Sequence, residues 1–332
     1  MLAARFYGPG DVRAEDVPRP RCGPGEAVVK IAYAGICGSD LHVYRKGMFV
    51  TSAPVTMGHE FSGVVEEIGE GVTGLAPGDH VIGDPRVTCG SCAWCMEKQY
   101  NLCPGLGFIG EVAPGCFAEY IAMKAGLLLK VPPNVDLKTA ALAEPLAVAL
   151  HIAEAGSFSG ADSIGIIGAG PIGLLTLLLA GNLKVSHIAV VDLSPARLDL
   201  ARELGAHSTY QSVPEFPADA VDVAVEAVGL EVTLSGAIKW LKPRGRLVMA
   251  GLYEEQVRID PNDIISKELL VSGINAYGTE DIIKAIELLR DASLDLSPVV
   301  SHVLPLEAAP SAFSLLTSGD KSASKILLAA GA

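Results

Sequence analysis

The rhythm of hydrophobic positions changes near residue 145. Before it, short apolar runs such as "AVVKIAYAG" (residues 27–35) and "FSGVVEEIG" (61–69) lie between glycines and prolines, without regular helical periodicity. Such runs predict short strands and a mostly β domain. After it, apolar runs alternate with helix-like stretches. The runs at 164–167, 187–192, 220–229, 245–252 and 269–278 read as buried strands ending in turns, and "TEDIIKAIELLRDAS" reads as a helix. Strand–helix alternation of this kind predicts an open parallel sheet, so the fold class is α/β. No internal repeat or low-complexity linker interrupts the pattern.

One stretch invites a different reading. Residues 164–181, "IGIIGAGPIGLLTLLLAG", hold eighteen residues without a charge, close to the length of a membrane span. Four of its first ten residues are glycine and one is proline, and the pattern shifts midway from strand-like to helix-like. It therefore reads as strand, glycine turn and helix. Gly168, Gly170 and Gly173 form G-x-G-x-x-G, with Pro171 and Ile172 between the last two. In a dinucleotide site the first glycine permits the turn, the second admits the pyrophosphate, and the third lets helix and strand pack closely. Asp192 follows nineteen residues after Gly173, at the end of the next strand. An acid there accepts hydrogen bonds from both adenosine-ribose hydroxyls and repels a 2′-phosphate, which predicts NAD over NADP.

Composition narrows the partners. With 332 residues the chain has room for about two domains. A net charge of −13 and the lack of any basic cluster argue against nucleic acid and against an anionic membrane surface. The first twenty residues do not read as a secretory signal, so a cytoplasmic protein is expected. In that reducing setting clustered cysteines favour metal binding or redox chemistry over disulfides.

Four of the seven cysteines, Cys89, Cys92, Cys95 and Cys103, follow the spacing C-x2-C-x2-C-x7-C. Four thiolates around one tetrahedral ion make a closed, structural zinc site. An iron–sulfur cluster uses similar gaps and stands as the alternative. Elsewhere Cys37 in "AGICGSDLHVY" precedes His59 and Glu60 in "MGHEFSGVV". Cysteine, histidine and glutamate can give three protein ligands with an open fourth position, the catalytic zinc arrangement. An ion held with an open position lowers the pKa of a hydroxyl bound there. Ser39 is the candidate first proton acceptor and His42 the next step toward solvent.

The segment "GHEFSGVVEEIGEGVTGLAPGDHV" (58–81) resembles the zinc signature of the medium-chain alcohol dehydrogenases, and "CGSDLH" (37–42) resembles their polyol and threonine dehydrogenase branch. The cysteine spacing and "AEPLAVALH" (143–151) are similar as well. The resemblance covers nearly the whole chain. It implies a GroES-like catalytic domain at 1–144 and 277–332 and a Rossmann NAD-binding domain at 145–276, with the active site in the cleft between them. It implies two zinc ions per chain, with Cys37, His59 and either Glu60 or Glu144 at the catalytic one. Other alcohol dehydrogenases of the family carry a cysteine where this chain has Glu144. That departure points to the sorbitol, threonine and butanediol enzymes, and to a harder ion.

The same resemblance places Arg197 at the adenosine end of the cofactor, although a surface ion pair would also account for it. It puts Leu252, Ile274 and Asn275 near the nicotinamide, and Asp40, Tyr44, Phe108 and Glu111 near the substrate. Cys22 and Cys116 read as packing residues. The implied activity is reversible NAD-dependent oxidation of a secondary alcohol (polyol, vicinal diol or threonine-like) by a homodimer or homotetramer. Rival readings are a non-enzymatic zinc protein on the same fold, a zinc-free quinone reductase and a formaldehyde-type dehydrogenase.

Overall fold

The computed structural model describes residues 1–318 and 323–331, and Ser322 and Ala332 of the closing segment "SASKILLAAGA" lie outside them. The chain divides into two compact units. The first comprises Met1–Glu144, Ile282–Ala292 and Val300–Ala332, and the second Pro145–Asp281 and Ser293–Val299.

The first unit is built on strands. A seven-stranded sheet runs Leu128–Lys130, His80–Gly83, Glu60–Ile68, Glu26–Gly35, Lys325–Ala329 and Val300–Pro305, with Tyr120–Lys124 also pairing to Glu26–Gly35. Its pairs are antiparallel except the last two strands of that order, which are parallel. A three-stranded sheet of Asp11–Asp16, Leu2–Gly8 and Val55–Thr56 accompanies it. Val29, Ile31, Phe61, Val65, Phe117 and Phe313 are among the residues of one continuous core. Removing those side chains from water is the main stabilising contribution here.

The second unit holds a six-stranded parallel sheet in the order Ser208–Tyr210, His187–Val191, Ser163–Ile167, Val221–Glu226, Leu241–Met249 and Leu270–Gly273. This is the doubly wound nucleotide-binding order, with its reversal beside Ser163–Ile167. Central strands covered on both faces need apolar residues at successive positions, and Ile164, Ile166, Ala189, Val190, Val223 and Val225 are all fully buried. The uncharged stretch resolves into strand Ser163–Ile167 and helix Pro171–Asn182. Among the described residues no helix is long and apolar enough to cross a membrane.

One expectation needs correction. The run at 269–278 is not a buried strand: Leu270 is 64% and Val271 44% exposed. Among the described residues Leu270–Gly273 pairs on one side only, with Leu241–Met249, so it is the edge of the sheet. An apolar run cannot by itself distinguish a central strand from an apolar edge.

Candidate active site and metal centres

Cys37 caps helix Gly38–Lys46, where its backbone N–H donates to Asp40 Oδ2 at 2.9 Å. Glu60 opens strand Glu60–Ile68, so His59 sits at the strand entrance. The ligand atoms of Cys37, His59 and Glu60 lie within 4.8 Å of one another. His59 is 4% exposed, its Nδ1 has no hydrogen-bond partner among the described residues, and Asp40 Oδ1 stands 3.7 Å from that atom. On the other side of the ring, Ser39 Oγ is 3.5 Å from Nε2. Phe108 packs against the imidazole in a tilted contact, with ring centroids 5.7 Å apart and the planes at 59°. His42 is half-buried, within the same short helix as Ser39.

Glu144, in the first turn of helix Ala143–Ala155, is buried but outside that three-residue cluster. Burial and the nearby Glu60 push its carboxyl up to about 8. Burial also raises the Asp40 carboxyl, against the opposing pull of His59. For His59, burial opposes charge, yet Asp40 and Cys37 hold its proton affinity well above the ordinary value. Acids raised and a histidine drawn toward its cation mark a cluster rich in negative donors, which suits a divalent ion. Soft sulfur, imidazole and carboxylate together fit zinc.

The sequence did not single out Lys325. Its buried ammonium donates to Glu60 Oε2 and, at 3.1 Å, to the carbonyl of Ile36.

In the four-cysteine lobe the Sγ–Sγ separations are 3.5 Å (Cys92–Cys95), 3.6 Å (Cys103–Cys89) and 3.9 Å (Cys89–Cys95). A tetrahedron with zinc–sulfur bonds of about 2.3 Å has edges of about 3.8 Å. The sulfurs are too far apart for disulfides, and their spacing matches ligands shared by a single ion. Backbone N–H groups of Ser91 and Cys92 bring the Cys89 thiol down to about 6. A groove of about 730 Å³ runs beside this lobe, past Arg86, Cys89 and Tyr120, and the Cys37 cluster does not line it. A third grouping, His151, Glu154 and Asp281, is organised by a 2.9 Å bond between His151 Nδ1 and Asp281 Oδ2. That carboxylate also accepts from Gly278 N–H at the start of helix Thr279–Arg290, which is a capping role.

In the second unit, Gly168 has φ +100° and Gly170 caps the helix that begins with Pro171 and Ile172. A Cβ on Gly173 would collide with the Gly168 carbonyl, so only glycine lets this helix approach its strand. Asp192 lies just past its strand and accepts from Ala169 N–H (2.9 Å) and Ser194 N–H (2.8 Å), tying its position to the glycine turn. Arg197 Nη1 is 3.9 Å from Asp192. Leu252 follows strand Leu241–Met249, and Ile274 and Asn275 follow Leu270–Gly273, all at carboxyl ends.

Glu226, read from the sequence only as part of a strand, is fully buried and joins this region together. Its Oε1 accepts from Val228 N–H, Gly229 N–H and Thr233 Oγ1, and its Oε2 from Tyr253. The loop it holds backs the nucleotide turn, because a Cβ on Gly168 would lie 2.8 Å from Val228 Cγ2.

Comparison with known proteins agrees with this geometry. Residues 23–133 match the alcohol dehydrogenase GroES-like domain, and residues 171–291 match the zinc-binding dehydrogenase model. Sorbitol dehydrogenase of Homo sapiens is 33% identical, over 96% of this chain and 93% of its own length. The structure of 2R,3R-butanediol dehydrogenase from Bacillus subtilis has a TM-score of 0.90 and 34% identity, covering 99% of both chains. A zinc-binding dehydrogenase of Sinorhizobium meliloti 1021, bound to NADP, has a TM-score of 0.92 and 31% identity, covering 99% of this chain and 98% of its own. The chain belongs to the zinc-containing medium-chain alcohol dehydrogenase family, in the branch that includes the sorbitol, threonine and butanediol dehydrogenases.

Proposed function

We propose that this protein oxidises a secondary alcohol that carries a neighbouring polar group to the ketone, reversibly, using zinc and NAD. The observation that carries the reading is the Cys37–His59–Glu60 cluster, in which His59 and Glu60 are buried and Cys37 half-buried, with Ser39 Oγ 3.5 Å from the His59 ring. Zinc supplies Lewis acidity that lowers the pKa of a hydroxyl, and NAD accepts the hydride.

Cys37, His59 and Glu60 hold the catalytic ion, with Glu144 as the reserve carboxylate. Cys89, Cys92, Cys95 and Cys103 hold the structural one. Asp40, 3.7 Å from His59 Nδ1, acts on the ring by its charge and not through a hydrogen bond. Ser39 takes the hydroxyl proton and His42 passes it toward solvent. Phe108 shields the His59 ring from water. In the second unit the Gly168–Gly173 turn and the helix N-terminus receive the pyrophosphate, with Gly170, Pro171 and Ile172 at the approach. Asp192 binds the ribose hydroxyls and favours NAD over NADP, with Arg197 flanking the adenosine. Leu252, Ile274 and Asn275 border the nicotinamide.

We assign residues 1–144 and 277–332 to the zinc chemistry and 145–276 to NAD, except that 277–281 and 293–299 pack within the second unit. The exposed apolar edge Leu270–Gly273 supports pairing with a second copy as a homodimer or homotetramer. Thiolate-held zinc suits a cytoplasmic setting.

The test is to incubate purified protein with NAD or NADP against sorbitol, xylitol, 2,3-butanediol, threonine and myo-inositol, following the near-ultraviolet absorbance of reduced nicotinamide. Reduction of NAD by at least one of these, faster than of NADP, is expected. Reduction of neither cofactor by any of them would contradict the reading.

A further inference from the structure

The loop after the four-cysteine lobe carries a carboxyl group without an assigned task. Glu111 is 6% exposed, and among the described residues no hydrogen bond or ion pair reaches its side chain. Its backbone, by contrast, is fixed. The Glu111 N–H donates to the Phe108 carbonyl at 3.1 Å, and its carbonyl accepts from Thr51 N–H at 3.4 Å.

The loop is pressed against the residue that precedes His59. A Cβ on Gly110 would lie 2.6 Å from Gly58 N, and Cys116 N–H donates to the Gly58 carbonyl at 3.0 Å. Phe108 covers the His59 ring, and Glu111, three residues on, stands in the electrostatic field of His59 and Asp40. Burial pushes the Glu111 carboxyl up to about 7, with Asp40 adding to the rise and His59 opposing it.

A buried acid with no partner costs stability, and a folded chain rarely keeps one without a use. Beside a reactive cluster, the natural partner is a ligand. The ligand's character follows from the surroundings. Of the charged groups acting on Glu111, Asp40 is acidic and His59 is taken up by the proposed ion, so a phosphate or carboxylate facing Glu111 would meet like charge where a hydroxyl would not. A carboxyl group can accept a hydrogen bond from a hydroxyl and, when protonated, donate one in return.

We propose that Glu111 is a specificity-determining residue that binds the second hydroxyl of a neutral diol or polyol while the first hydroxyl occupies the Cys37–His59–Glu60 cluster. This rests on the function proposed above and narrows it to uncharged substrates with adjacent hydroxyls.

The test compares zinc-loaded wild type, Glu111→Gln and Glu111→Leu on 2,3-butanediol and on 2-butanol at saturating NAD. Wild type should prefer the diol. Glu111→Leu should lower the diol-to-monoalcohol ratio of kcat/KM by about tenfold or more, chiefly through KM, since a lost charge-assisted hydrogen bond has that size. Glu111→Gln, which keeps a donor and an acceptor, should retain part of the preference, and it gives the readout if the leucine variant does not fold. Equal losses for both alcohols, or a ratio within about twofold of wild type in both variants, would overturn the inference while leaving secondary-alcohol oxidation intact. A wild type that reduces NAD with 2-butanol as readily as with the diol would overturn it too. A wild type that oxidises no alcohol would remove the functional reading and this inference together.

Discussion

The ammonium of Lys325 and the carboxylate of Glu60 form an ion pair in which each side chain is 1% exposed. The two residues are 265 positions apart, and strand Lys325–Ala329 meets strand Glu26–Gly35 to bring them together. Gly35 leaves the space: a Cβ there would lie 3.0 Å from Lys325 Nζ. Burial works against the lysine charge, but Glu60 and Cys37 raise its proton affinity above the ordinary value. Lys325 thus neutralises a proposed zinc ligand and holds one of its two oxygens.

Lys325→Met should therefore leave Glu60 buried without its counter-charge. Breaking one side of such a pair costs about 3–5 kcal/mol. The loss should be largest in metal-depleted protein, and Lys325→Met combined with Glu60→Gln should recover most of it. Urea unfolding with and without zinc measures both, and a single variant as stable as wild type would count against the pairing.

Glu111 gives a pH signature. Its carboxyl titrates at about 7 in the folded chain, against an ordinary value of 4.5. A raised carboxyl contributes stability below its unfolded pKa and loses it as pH climbs through the folded one. Relative to Glu111→Gln, wild type should lose up to about 3 kcal/mol between about pH 4.5 and about pH 7, then no more. Unfolding curves of both proteins at about pH 5 and about pH 8 decide this; a constant gap would contradict it.

Glu226 anchors four donors at the carboxyl end of its strand. Glu226→Ala strands them and should cost about 3 kcal/mol or more, whereas Tyr253→Phe removes one bond and should cost about 1 kcal/mol. Burial and Glu226 both raise the Tyr253 pKa, so that hydroxyl remains a donor. Because the held loop backs Gly168, the dissociation constant for NAD should rise in Glu226→Ala more than in Tyr253→Phe. Calorimetric titration with NAD measures the order, and equal affinities would refute it.

Asp192→Ala should raise KM for NAD by about tenfold and narrow the preference over NADP, since two ribose hydrogen bonds and the repulsion of a 2′-phosphate disappear together. Steady-state kinetics with both cofactors gives the ratio. An unchanged ratio would move the ribose contact to another residue.

The sequence was most legible where chemistry is local. The cysteine lobe spans fifteen residues, and the glycine turn and Asp192 lie within twenty-five, so spacing alone brought them out. Cys37, His59 and Glu60 emerged as a set because three zinc-competent types fall close together. Lys325 did not, because its meeting with Glu60 depends on how the last strand joins the sheet, which no short window contains. Asp40 was placed near the substrate only by resemblance; its position behind His59 follows from the cap of a helix, Gly38–Lys46, in a region that reads as strands and turns. Glu226 sat inside an apolar strand pattern, where a single acid resembles an interruption and not a hub. The edge Leu270–Gly273 looked buried because its residues are those of a central strand.

The most direct test removes the metal. Zinc content per chain and the rate of NAD reduction by 2,3-butanediol should be measured on the same samples of wild type, Cys37→Ser and Cys92→Ser, before and after chelation and on zinc return. About two zinc ions are expected in wild type and about one in each variant, with alcohol oxidation abolished in Cys37→Ser, weakened but present in Cys92→Ser, and lost and then restored in wild type as zinc leaves and returns. Undiminished oxidation by Cys37→Ser, or by wild type stripped of zinc, would contradict that expectation.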